Sequence, residues 1–97
     1  MSSKAELGAQ QIALIQRRGI NFVGGVKGLA LNVTMYGSRS WVLRYRLGGR
    51  RRDLGLGAYP SVSLSDAREA ARRARSLLAQ GIDPVANAQA ARAKLRA

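Results

Sequence analysis

Cysteine and histidine are both missing from this chain of 97 residues, and acids are scarce, with 5 Asp+Glu against 17 Lys+Arg. Without cysteine there is no disulfide framework and no thiolate metal site. Without histidine the commonest metal ligand and general base is gone, so metal catalysis and His-based triads are excluded within these residues, and no catalytic residue, metal or cofactor is expected. No apolar run approaches the roughly 20 residues that cross a bilayer, and the opening "MSSKAELGAQ" lacks the apolar stretch of a signal peptide. The expectation is a soluble, cytoplasmic protein with neither a membrane nor a small-molecule partner. A chain this short also buries only a modest core, which leaves room for one small domain plus tails.

What is present in excess is cation. The formal net charge is +12, the sequence pI is near 11.8, and arginine greatly outnumbers lysine. Such a balance is the electrostatic footprint of a protein that meets phosphate. Six arginines fall between Arg39 and Arg52, followed by a single acid, Asp53. Like charges held that close repel one another unless a partner neutralises them.

The chain changes period as it runs. Residues 1–19 begin polar, then "QIALIQRRG" offers an apolar patch that ends at Gly19, a short helix or a poorly ordered N-terminal arm. From Ile20 to Gly57 the period is two, the mark of strands whose side chains alternate faces. Leu29, Leu31, Val33 and Met35 point one way, and Ala30, Asn32, Thr34 and Tyr36 the other. In "WVLRYRLGG" the apolar set is Trp41, Leu43, Tyr45 and Leu47, opposed by Val42, Arg44 and Arg46. Past Gly48-Gly49, Leu54 and Leu56 oppose Arg51, Asp53 and Gly55. With a second turn at Gly37-Ser38, this predicts a three-stranded antiparallel meander with one shared apolar face.

A cover for that face follows directly. "SLSDAREAARRARSLLAQG" places Leu64, Ala67, Ala71, Ala74 and Leu78 at helical spacing, flanked by Ala70 and Leu77. Ser63 reads as its N-cap, with Asp66 in the capping-box position. Gly81 reads as its stop, with Ile82 touching Leu77 as in a Schellman ending. Small alanines let such a helix lie close to a sheet carrying the large residues. Asp83-Pro84 then opens a last helix, alanine-rich with little to bury. The fold class expected is therefore α+β, a three-stranded sheet packed on one face by a C-terminal helix, with segments 1–19, 20–82 and 83–97.

The uncovered face would hold Asn32, Thr34, Val42, Arg44, Arg46, Arg51 and Asp53, with Arg50 and Arg52 at the turn and Arg39 at the far end. A β-ribbon fits the DNA major groove, where arginine donates to guanine O6 and N7 and asparagine pairs with adenine. Antiparallel sheets also leave a polar face in water for solubility alone. RNA binding, as in a small ribosome-associated protein, would use the same basic face. Trp41 and Tyr45 share the parity of the leucines, which assigns them to the core rather than to base stacking. Arg72, Arg73 and Arg75 lie mostly off the apolar stripe, and Glu69 with Arg73 makes an i, i+4 pair on a solvated face. "VGGVKG" lacks the Gly-Lys-Ser/Thr ending of a phosphate loop and reads as a turn.

The run from Gly28 to Pro84 also closely resembles the N-terminal arm-type DNA-binding domain of phage and genomic-island tyrosine recombinases, the integrases related to those of satellite phages. The residues that carry the likeness include Gly28, Leu29, Leu31, Val33, Gly37, Trp41, Arg44, Tyr45, Arg46, Gly49, Leu56, Gly57, Tyr59, Pro60, Ser63, Leu64, Ala67, Arg68, Gly81, Asp83 and Pro84. The resemblance implies a sheet that enters the major groove of double-stranded DNA at arm sites flanking the crossover region. It also implies that residues 83–97 begin a linker helix toward a core-binding domain, with further integrase protomers as partners of the full-length protein. The tyrosine nucleophile of such enzymes would belong to a later domain, which makes Tyr36, Tyr45 and Tyr59 structural and the chain a binding module rather than an enzyme.

Overall fold

The computed structural model describes residues 6–96. Residues 1–5 of the expected arm and residue 97 of the expected linker helix lie outside the described residues. In chain order the elements are α1 (Ala9–Ala13), β1 (Gly19–Phe22), β2 (Leu29–Val33), β3 (Arg39–Leu47), β4 (Arg50–Ala58), α2 (Leu64–Ala79) and α3 (Pro84–Arg96). The strands form one four-stranded antiparallel sheet in the order β1-β2-β3-β4. This corrects the expected three-stranded sheet under a single C-terminal helix in two respects. A fourth strand, "GINF", pairs along the β2 edge from Gly19 opposite Val33 to Phe22 opposite Ala30. A second C-terminal helix, α3, also contacts the sheet through β4. Four residues are too few to display a period, and β1 exists because β2 offers it a hydrogen-bonding edge.

Alternation places the core where the side chains dictate. Leu29, Leu31 and Val33 of β2 and Trp41, Leu43 and Tyr45 of β3 are buried on one face, against Leu64, Ala67, Ala71 and Ala74 of α2. The three alanines share this core with the indole of Trp41, whose Nε1–H donates to the Val62 carbonyl at 2.7 Å. The expected parity breaks at one place. Strand β2 stops at Val33, so Met35 lies in the β2–β3 loop and is 62% exposed rather than facing the core. The N-terminal segment packs onto the same core: Ile12 of α1 is buried, and the Leu7 N–H donates to the Val23 carbonyl at 2.9 Å.

Turns and caps follow their residues. Gly48 and Gly49 take φ of +60° and +79°, the left-handed pair that a two-residue hairpin turn of type I′ demands. Helix α2 starts with the Asp66 N–H donating to Ser63 Oγ at 3.1 Å. It ends with Gly81 N–H on the Leu78 carbonyl and Ile82 N–H on the Leu77 carbonyl, both at 2.9 Å, a Schellman closure. Asp83 caps α3 by accepting from the Val85 N–H at 3.1 Å, with Pro84 at the first helical position. Strands β3 and β4 run nine residues each, whereas β2 pairs with β3 only from Arg39 to Leu43. Beyond Leu43 the β3–β4 hairpin therefore runs on as a two-stranded ribbon, its helix side held to the start of α3 through Tyr45 and Arg52.

Candidate nucleic-acid interface

The face turned away from α2 is set by cross-strand register. Phe22, Ala30, Val42 and Gly55 line up across the sheet in one row, and Ile20, Asn32 and Ser40 form the next. Toward the hairpin tip Arg44 stands opposite Asp53, then Arg46 opposite Arg51. Of the residues expected here, Asn32, Val42, Arg44, Arg46, Arg51 and Asp53 share the face. Arg50 stands exposed at the tip opposite Leu47, with the helix-side parity of Arg52 rather than that of Arg51.

The arginines of this face differ in their partners. Arg44 Nε donates to Asp53 Oδ1 at 2.9 Å and Nη2 to Oδ2 at 3.2 Å, a bidentate pair. That hydrogen bonding holds the Asp53 carboxyl below its usual range and raises Arg44 further above neutrality. Arg46 and Arg51 have no carboxylate partner among the described residues, and they stand directly across from each other. Like charges opposed across strands are unfavourable, a cost that an anion lying on the face removes.

Three expected contributors are turned elsewhere. Arg39 has the parity of Trp41; its guanidinium lies 4.8 Å from the Tyr59 ring centroid and donates to the Ala13 carbonyl at 3.2 Å, joining α1 to the core side. Arg52 stands opposite Tyr45 on the helix side, its Nη1 3.5 Å from Asp83 Oδ2. The Tyr45 hydroxyl donates to the same Asp83 carboxylate. Arg52 therefore braces the start of α3, because tip position in the sequence does not choose the face while strand parity does. Thr34 has left the strand, and its Oγ1 accepts from the Ser38 N–H at 3.1 Å, closing the β2–β3 loop.

Four residues outside the expected set border the face. Ile20 and Phe22 arrive with β1, and Phe22 is 57% exposed. Lys27 and Arg75 close a shallow depression with Phe22, Arg44, Arg46 and Arg51. Arg75, expected on a solvated helix face, instead donates to the Lys27 carbonyl at 2.8 Å and the Arg44 carbonyl at 3.2 Å. Gly28 makes that approach possible, since a Cβ there would lie 2.1 Å from the Arg44 carbonyl oxygen. The one signal for this in the sequence is the Gly28 just before β2. Arg72 and Arg73 do pair with Glu69, at 3.1 and 3.6 Å.

A sheet with one face packed under a helix and the other bearing a cluster of arginines, two of them opposed across strands, is the form of a nucleic-acid-binding module. Residues 7–91 match the family model described as the arm DNA-binding domain, and the chain belongs to that family. It is 43% identical over 58 residues to the integrase of Shigella phage Sf6, covering 60% of this chain and 15% of that protein. It is 39% identical over 69 residues to the integrase of Enterobacteria phage P4, covering 69% of this chain and 16% of that protein. With the putative protein IntB of Escherichia coli K12 it shares 50% identity over 48 residues, which is 50% of this chain and 12% of that protein. The chain thus corresponds to the arm DNA-binding domain of integrases and spans only about a seventh of their length. Among the described residues no helix is long and apolar enough to cross a membrane.

Proposed function

We propose that the chain binds double-stranded DNA sequence-specifically at arm-type sites, by laying the outer face of the β3–β4 ribbon in the major groove, and so holds a tyrosine-recombinase integrase on its substrate in the cytoplasm. The observation that carries this is the Arg46–Arg51 pair, opposed across the two-stranded end of the β3–β4 hairpin with neither guanidinium in a salt bridge among the described residues. A ribbon of that width enters the roughly 12 Å major groove of B-DNA. The deep, narrow major groove of A-form RNA excludes it. Residues two apart on a strand lie about 6 to 7 Å from each other, close to two base-pair steps. Arg44 and Arg46 on the ribbon would then specify, while Arg51 near the tip meets the sugar-phosphate wall.

Titration of the 97-residue chain against duplex DNA and structured RNA over a range of salt tests the reading. Log affinity for duplex should fall linearly with log salt, by about 0.9 per phosphate contacted. A flat salt response, or preference for structured RNA, would overturn it.

A further inference from the structure

Asp53 places a negative charge in the middle of a surface that has to approach phosphate. For mere solubility or charge attraction that placement is counterproductive, so its geometry matters. Arginine has five N–H donors, one on Nε and two on each Nη. Asp53 takes the Nε donor and one Nη2 donor, at 2.9 and 3.2 Å. The distal edge, with one N–H from Nη1 and one from Nη2 running parallel, makes no hydrogen bond among the described residues. That edge is the fork that matches the O6 and N7 acceptors of guanine in the major groove.

The main chain of Arg44 is held as firmly as its side chain. Its N–H donates to the Gly28 carbonyl at 2.8 Å, and its own carbonyl accepts from Arg75 Nη2 at 3.2 Å. The absence of a Cβ at Gly28 allows this approach. Arg44 is thus fixed at both ends, with its side chain 25% exposed. Arg46, one step nearer the tip, is exposed and has no carboxylate partner among the described residues.

We propose that Asp53 is a positioning residue that presents the distal guanidinium edge of Arg44 to a single guanine, making Arg44 the fixed base reader of the ribbon, whereas Arg46 adapts. The proposal rests on the sheet-in-groove reading above. Rotamer freedom surrendered in the free protein is not lost again on binding, which favours the matched base. The carboxylate meanwhile repels every phosphate alike, which lowers affinity for unmatched DNA. Asp53 therefore trades general affinity for discrimination. Its removal should move the two in directions that no purely structural ion pair would produce.

The test starts by enriching duplexes from a random-sequence library on the 97-residue chain. Each guanine of the enriched duplex is then replaced in turn by 7-deazaguanine, which lacks the N7 acceptor. For the wild type, one such replacement should weaken binding about tenfold. For Asp53→Ala the same replacement should matter less than about threefold, while affinity for the unselected random duplex pool rises. Arg44→Lys, which keeps the charge and loses the fork, should lose the discrimination as well. Full sensitivity at that guanine in Asp53→Ala overturns the proposal. So does a parallel fall in affinity for selected and random duplex, which would make Asp53 a structural residue. Failure to enrich any duplex would overturn the groove reading itself, before a variant is made.

Discussion

The two faces of the sheet both carry arginine, and they use it in opposite ways. On the helix side Arg39 and Arg52 are tied within the chain, one to the Ala13 carbonyl and the Tyr59 ring, the other to Asp83. On the outer side Arg46 and Arg51 face each other across the ribbon, and neither makes a salt bridge among the described residues. The difference follows from parity alone, since Arg51 and Arg52 are neighbours in sequence and point to opposite faces. Guanidinium groups on the core side act as long hydrogen-bonding braces, joining α1 and α3 to a small core. Arg46 and Arg51 on the outer side make no such tie among the described residues.

The comparison predicts its largest effect at the centre of the packed face. Trp41 is fully buried and donates to the Val62 carbonyl, so Trp41→Ala should cost roughly 3 to 5 kcal/mol. That would take much of the stability of so small a domain, visible as loss of a cooperative melting transition. On the outer face, Arg46→Ala should leave stability within about 1 kcal/mol and cost about 1 to 3 kcal/mol on an enriched duplex. Equal loss of fold from both variants would mean that the faces are assigned wrongly.

A smaller effect lies where the packed face meets α3. Burial pushes the Tyr45 hydroxyl above its ordinary pKa, and donation to the Asp83 carboxylate adds to the shift. The same hydrogen bond holds the Asp83 carboxyl below the usual carboxylate range. A carboxyl depressed by folding contributes stability that is present above its unfolded pKa of about 3.9 and lost as pH falls through the folded value. A phenol raised by folding contributes below about 10 and loses its contribution as pH rises through the folded value. Melting temperature should therefore be flat between about pH 5 and 9 and fall on both sides. Tyr45→Phe should lower the plateau and soften both edges. An unchanged alkaline edge would place the titration elsewhere.

How far these roles could be read from the sequence varies with the kind of interaction that creates them. Repeated local signals carried the most: the alternation that buried Leu29, Leu31, Trp41, Leu43 and Tyr45, the alanine stripe of α2, Ser63 and Gly81 as caps, and Asp83-Pro84 as a start. Strand β1 was not legible, because four residues show no period and are defined by the edge they pair with. Arg75 was not legible either, since its partners are main-chain carbonyls 48 and 31 residues away. Within the site, composition announced the arginine cluster, and register then sorted it. Arg39 and Arg52 fall outside the outer set because strand parity, and not position along the hairpin, chooses the face.

The sharpest and smallest test compares two neighbours, Arg51 and Arg52, which composition cannot tell apart. Arg51→Ala removes a cation from the outer face near the tip, so it should weaken binding to every duplex alike and reduce the salt slope by about 0.9. Arg52→Ala removes a brace to Asp83, at 3.5 Å and with the arginine side chain 37% exposed. A partly exposed pair of that kind is worth about 0 to 1 kcal/mol. Its loss should appear as a small drop in melting temperature while the salt slope keeps nearly its full value. Both variants lose one positive charge, so long-range attraction to DNA falls equally in each, and any difference in slope isolates direct contact. Identical slopes would mean that the tip arginines act only through net charge. A larger slope change for Arg52→Ala would mean that the helix side of the hairpin, with Asp83 displaced, is the side that meets the phosphates.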